Sequence, residues 1–361
     1  MKAALMRALH APLTIESIQI SKPGPREVLV RTVATGVCHS DLHIIEGALP
    51  SSLPTVLGHE PAGVVEMVGA EVRQFVPGDH VIGCLSAFCG SCEYCLSGRP
   101  NLCGGEATQR AAGEPPRLFK DGEPIAQFAH LSAFAEVMLV HENALVKIRA
   151  DIPLDRAALI GCGVTTGLGA ALNTAKVRPG QTAAVIGCGG VGLSIIQGCR
   201  LGGAGRIIAV DTADWKLDLA RQLGATDTVS ASGGNPVAEV VDRTAGGVDY
   251  AFEAIGLAAT VRQAVRMTRK GGTTVMVGVV PMGTNVELPG ADIVLREKTI
   301  LGSLMGSNRF RLDMPRYVDL YLQGRLKLDE MISARLPLDR INEALDALRG
   351  GSAARSVIVF Q

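Results

Sequence analysis

The chain has 361 residues, 47% of them hydrophobic and 19% charged, with 35 basic and 35 acidic side chains that cancel. That size exceeds one ordinary core and implies two domains, while zero net charge removes any electrostatic case for nucleic acid or an anionic membrane as partner. Residues 1–10 carry charge within a short apolar stretch and have no signal-peptide core, no run reaches the ~18 apolar residues of a membrane span, and nine cysteines in that setting point to metal ligands and free thiols in the cytoplasm.

Residues 1–163 read as short strand-like segments, 28–33 and 63–68 among them, divided by Gly, Pro and Asp turns such as 77–82. A mostly β domain is expected there. Within a lobe spanning 86–105, Cys89, Cys92, Cys95 and Cys103 stand at spacings of three, three and eight. One compact loop can aim four thiolates at a common centre, and a tetrahedral Zn²⁺ with four sulfurs closes its coordination shell. Two disulfides or four unrelated thiols are the competing readings, but cysteines three apart rarely meet disulfide geometry without strain. Four thiolates on one dication leave a charge of about −2 and no open position, so the lobe shapes a region and the chemistry lies elsewhere. The polar stretch 104–127 reads as a long surface loop.

Over 164–304 the rhythm changes to strand, helix, strand: 182–187, 190–201, 206–211, 213–223 and 248–253, after which Gly271-Gly272 turns the chain into 273–280. This alternation predicts an α/β domain with a doubly wound parallel sheet. Gly187, Gly189 and Gly192 form a G-x-G-x-x-G that follows an apolar strand and opens a helix, with Gly190 and Val191 between them. The first glycine permits the tight turn, the second lets a pyrophosphate approach the backbone, and the third lets helix pack on strand. The helix N-terminus then offers free N–H groups to the phosphates. Asp211 ends the next strand, 19 residues after Gly192, where a carboxylate accepts hydrogen bonds from a ribose and repels a 2′-phosphate, favouring NAD over NADP. Lys216 reads equally as a ribose contact or as an exposed helix lysine. Residues 305–361 contain two helical stretches and end on a strand-like run, expected to return to the first domain.

Three further segments hold ligand-type residues beside glycine: 36–43 with Cys38, His39, Ser40, Asp41 and His43; 58–60 with His59 and Glu60; and 161–167 with Cys162. Taken singly, each cysteine reads equally as a small buried thiol and each histidine as a satisfied core group. Ser40 alone reads equally as a helix cap.

Taken together and in this order, these segments, the four-cysteine lobe, the glycine fingerprint with Asp211, and Arg355 resemble the zinc-dependent medium-chain alcohol dehydrogenases, and the likeness runs over nearly the whole chain. The resemblance implies a GroES-like catalytic domain beside a Rossmann domain, two Zn²⁺ per subunit, NAD, and reversible hydride transfer between a primary alcohol and its aldehyde. It implies that Cys38, His59 and Cys162 bind the catalytic zinc, that Asp41 orients His59, and that Glu60 is a carboxylate close to the metal. It also implies His39, Arg355 and Val279 as cofactor contacts, and Ser40 with His43 as a proton route through the cofactor ribose. Two thiolates and a neutral imidazole bring Zn²⁺ to a net charge near zero, which preserves its Lewis acidity.

One branch of the family acts on a glutathione adduct of formaldehyde and carries a carboxylate where this chain has Leu49; other relatives hold NAD as a prosthetic group. Leu49, Leu85, Leu118 and Phe134 are expected to line an apolar substrate cleft, each with core packing as its competing reading. The long 104–127 stretch resembles that of dimeric members, so a cytoplasmic homodimer is expected.

Overall fold

The structure is a computed structural model and describes residues 1–111 and 113–360. Its spine is the eleven-residue strand Glu27–Val37, rich in Val and Thr and buried along most of its length. Glu60–Val68 pairs antiparallel along one side of it. On the other side Val137–His141 covers residues 27–31 and Arg355–Val359 covers residues 34–37, both antiparallel. The seven-stranded sheet is completed by His80–Gly83, Leu145–Lys147 and Ile332–Leu336. A six-stranded sheet contains Lys2–Met6, Thr55–Val56, Glu123–Gln127 and Leu118–Lys120. Leu5, Val56, Leu57, Leu118 and Phe134 belong to one buried cluster, where each large side chain contributes about 1.5–3 kcal/mol by leaving water.

These strands belong to one of two units, Met1–Cys162 with Arg309–Gln361; the other is Gly163–Asn308. The second unit holds six parallel strands in the order Asp227–Ser230, Arg206–Asp211, Thr182–Ile186, Val248–Glu253, Thr268–Met276 and Thr299–Gly302. The order reverses direction at Thr182–Ile186, which makes the C-terminal end of that strand the switch point of a doubly wound sheet. Its helix Gly190–Leu201 buries its residues from Gly192 to Cys199.

Three local expectations are corrected. The stretch 104–127 is no mere loop: Leu118–Lys120 and Glu123–Gln127 form a hairpin. Its polar Asp121-Gly122 pair is the turn, with φ of 52° and 87°, the left-handed pair a two-residue hairpin loop requires. Upstream, Arg110 and Arg117 both bond the buried carboxylate of Glu27. The strand expected over 273–280 is Thr268–Met276, because Gly271-Gly272 makes a bulge within the strand, where the register with Val248–Glu253 shifts, and not a turn before it. The return to the first unit begins at Arg309, not 305. Leu304–Ser307 stays with the second unit because Thr174 Oγ1 bonds the hydroxyls of Ser303 and Ser307 at 2.8 Å and Thr166 Oγ1 donates to Met305 Sδ at 3.3 Å. Leu154–Ala175 is one helical stretch long and apolar enough to cross a membrane, but 83% of that window is buried inside the protein. Its apolar residues are packed as core.

Candidate active site

Cys38 follows the spine strand directly and is the N-cap of the short helix His39–Ile45. Two residues before Glu60–Val68 the chain turns at Gly58 (φ 88°), where any Cβ would lie 2.6 Å from Phe134. Only glycine leaves room for that turn, which presents His59 inward. Cys162 comes from a π-helical turn, Ile160–Val164, an irregularity that re-aims a side chain within a helical stretch. Ligand atoms of Cys38, His59, Glu60 and Cys162 all lie within 4.8 Å of one another, and all four residues are buried.

Asp41 organises this cluster. Its Oδ1 accepts from Gly58 N at 3.1 Å and lies 3.2 Å from His59 Nδ1, while its Oδ2 accepts from Cys38 N at 3.1 Å. The carboxylate thus fixes both the backbone and the ring orientation of two ligand residues. His59 Nε2 is buried with no hydrogen-bond partner among the described residues, and an orphan nitrogen facing two thiols is the donor set that Zn²⁺ takes. Burial works against a charged His59, yet Asp41 and Cys38 together push it up to about 10. Cys38 accepts a hydrogen bond from Cys162, and this with His59 and Arg355 holds it well below the ordinary thiol value. Cys162, hydrogen-bonded to that sulfur and buried, is pushed well above it. A dication held by Cys38 and Cys162 would remove that mutual penalty. Ser40 Oγ lies 3.9 Å from Cys38 Sγ. His43 stands one helical turn further along and is half-buried.

The second cluster is Cys89, Cys92, Cys95 and Cys103, whose sulfurs also fall within 4.8 Å of one another. Backbone N–H groups turn to these sulfurs: Ser91 and Cys92 donate to Cys89, and Cys89 and Gly105 donate to Cys103, at 3.3–3.4 Å. Those bonds to Cys89 bring its thiol down to about 6. Burial among the other three thiols pushes Cys95 up to about 12. Donors aimed at sulfur favour thiolate, which is the form a four-sulfur metal site needs.

In the second unit, Gly187 has φ 92°, and a Cβ at Gly192 would lie 1.7 Å from the Gly187 carbonyl. A Cβ at Gly189 would meet nothing within 4 Å, so the space above it is free for a phosphate to approach. Gly190 and Val191 are half-buried beside it. The Asp211 carboxylate accepts from Cys188 N at 2.7 Å and from Ala213 N at 3.0 Å, which ties the end of its strand to the glycine loop. Lys216 Nζ lies 5.5 Å from the Trp215 ring centroid, and Val279 is exposed.

The remaining expected residues fall as follows. Arg355 is buried and ion-paired with Glu60, whereas His39 is exposed. Leu118 and Phe134 are corrected: both are closed into the hydrophobic core, Leu118 by its hairpin and Phe134 by backbone bonds to Leu57 and Ala4, and neither presents a surface to a ligand. Leu49 and Leu85 are half-buried at the margins of two core clusters. Sequence reasoning missed Phe128, whose ring packs edge-on against His59 with centroids 5.4 Å apart. Ala129 and His130, which follow it, have left-handed backbone (φ 54° and 61°).

Two family models match the chain: one described as alcohol dehydrogenase GroES-like domain over residues 24–150, the other as zinc-binding dehydrogenase over residues 190–323. An alcohol dehydrogenase class-3 from Drosophila melanogaster is 42% identical, over 99% of this chain and 97% of the relative. An alcohol dehydrogenase zinc-binding domain protein from Burkholderia ambifaria superposes with a TM-score of 0.95 at 37% identity, covering 100% of this chain and 98% of that one. The benzyl alcohol dehydrogenase of Acinetobacter calcoaceticus gives 0.93 at 34% identity, covering 100% and 99%. Two cysteine-built metal clusters, a dinucleotide loop on a doubly wound sheet and identity of this extent have one common explanation: the chain belongs to the zinc-dependent medium-chain alcohol dehydrogenase family.

Proposed function

We propose that this NAD-dependent zinc alcohol dehydrogenase oxidises primary alcohols with an apolar body, aliphatic or benzylic, and reduces the matching aldehydes. The carrying observation is the buried convergence of Cys38, His59 and Cys162, with an orphan imidazole nitrogen among two sulfurs. In this reading those three residues hold the catalytic zinc, while Cys89, Cys92, Cys95 and Cys103 hold the structural one. Zinc supplies Lewis acidity toward an alcohol oxygen, and NAD, held at Gly187–Gly192 and Asp211, supplies the hydride acceptor. Asp41 keeps His59 aimed, and Arg355 balances the charge of Glu60. Ser40 takes the alcohol proton and His43 passes it to solvent, as a hydroxyl followed by an imidazole can.

Half-buried Leu49 and Leu85, and Phe128 against His59, support an apolar substrate. The relative named benzyl alcohol dehydrogenase supports the aromatic option. A homodimer is supported by the edge strand Thr299–Gly302, whose backbone is open to pairing, together with the exposed Val294 and Leu295 of the neighbouring helix Gly290–Leu295. Metal-binding thiolates require reduced sulfur, which supports a cytoplasmic setting.

The test combines zinc per chain with NADH formation from a panel of primary, secondary and aromatic alcohols. Two zinc ions and the highest kcat/KM for apolar primary alcohols are expected. Turnover confined to formaldehyde with glutathione would replace the substrate reading with that of the glutathione-dependent branch. NAD that stays bound through gel filtration would make it a prosthetic group.

A further inference from the structure

Glu253 ends the strand Val248–Glu253, next to Ile186 of the strand that feeds the glycine loop. It is fully buried, an environment a carboxylate enters only with hydrogen bonds to hold it. Its Oε1 accepts three: from Ile255 N at 3.0 Å, Gly256 N at 2.8 Å and Thr260 Oγ1 at 2.7 Å. Its backbone carbonyl accepts two more, from Val277 N and Gly278 N at 2.9 and 3.0 Å. One residue therefore ties together the turns that follow two adjacent strands.

Both turns border the dinucleotide loop or a proposed cofactor contact. Ile255 packs on Gly187, where a Cβ would lie 2.5 Å from its side chain; a Cβ at Gly278 would lie 2.2 Å from Gly256 N and 2.7 Å from Glu253 Oε2. Val279 follows directly. In the strand order, Asp211 lies on one side of Thr182–Ile186 and these turns lie on the other. A dinucleotide that straddles the switch point, with its adenine ribose at Asp211, places its nicotinamide half on the Glu253 side.

We infer that Glu253 is a positioning residue for the nicotinamide half of NAD: its carboxylate holds Ile255 and Gly256 against Gly187 and Val279, and so sets the wall on which that half rests. The inference rests on the NAD site proposed above. Two ligands separate the questions. AMP occupies only the adenine half, whereas NAD needs both.

Calorimetric titration of the purified enzyme with AMP and with NAD supplies the test. Failure of the unmodified protein to bind either ligand would overturn the NAD site itself. If it binds both, Glu253→Ala, which strands the N–H groups of Ile255 and Gly256, should weaken NAD about tenfold and leave AMP within about twofold. Glu253→Gln, which keeps the accepting oxygen, should restore NAD affinity to within about threefold. Thr260→Val removes one donor without emptying the site and should weaken NAD about threefold, which keeps the test open if the alanine variant fails to fold. Unchanged NAD binding in the alanine and valine variants, or equal loss of AMP and NAD, would overturn the positioning role.

Discussion

Asp41 shows how one side chain can set the geometry of a metal site that it does not ligate. It spends both carboxylate oxygens on the backbone of Cys38 and Gly58 and on the ring of His59. Asp41→Asn places a donor where acceptors are needed, and should cut zinc affinity at this cluster about 10–100-fold. After dialysis against a mild chelator the variant should hold one zinc per chain where the parent holds two; retention of both would show that Asp41 is dispensable for binding. At the dinucleotide site, Asp211→Gly should narrow the preference for NAD over NADP about tenfold, measured as the ratio of kcat/KM values. For the proton route, His43→Gln should slow alcohol oxidation about tenfold, most at low pH, because a relay that water partly replaces costs less than a full general base. Added imidazole should recover part of the rate. An unaltered pH profile would remove His43 from the route.

At the scale of elements, the informative piece is the polar segment that carries Arg110 and Arg117. Glu27, on the spine strand, receives both guanidiniums and Gly24 N. Burial opposes the charge of Glu27, but the bonds from Arg110, Gly24 and Arg117 outweigh it and bring its carboxyl to about 2. The folded value lies below the ~4.3 of an unfolded glutamate. Its stabilising contribution is therefore complete above that pH and fades as pH falls from ~4.3 toward 2. Glu27→Gln should cost about 3 kcal/mol at neutral pH, since it leaves buried guanidiniums short of a partner. Urea midpoints of the two proteins should converge in acid. A gap that stays constant down to pH 2.5 would exclude this carboxylate as its source.

At the scale of the whole molecule, two zinc ions with unequal tasks are expected to fail differently. Cys95→Ala should lower the zinc count to one and reduce Tm, because structural metal binding contributes to folding free energy; full stability with lost activity would reverse the assignment of the two sites. The parallel-sheet unit was legible because its strands and helices carry distinct periods and glycine punctuates them at fixed offsets. The four-cysteine lobe was legible because its ligands are neighbours in sequence. The three-ligand cluster was not legible from spacing, since Cys38 and His59 meet through strand pairing and Cys162 joins them from a helical turn a hundred residues on; resemblance singled them out. Leu118 and Phe134 were misplaced because an apolar residue carries no mark of whether its neighbours will be protein or ligand. The hairpin after Arg117 was hidden by its polar composition, although its Asp121-Gly122 turn was in plain view.

The strand Arg355–Val359 completes the edge of Glu27–Val37 and brings Arg355 to Glu60. Between those partners in the chain lies the whole of Gly163–Asn308. During synthesis, then, the spine strand emerges early but waits for one neighbour until the intervening unit has left the ribosome. Domains generally fold as units while the chain grows, so Gly163–Asn308 can form while the first unit still has an open edge. Through that interval Glu60 is a carboxylate without its cation beside two buried cysteines. Zinc that arrived then would meet a site with its ligands present but its charge unbalanced, and the finished electrostatics of the metal centre belong to the last stage of assembly.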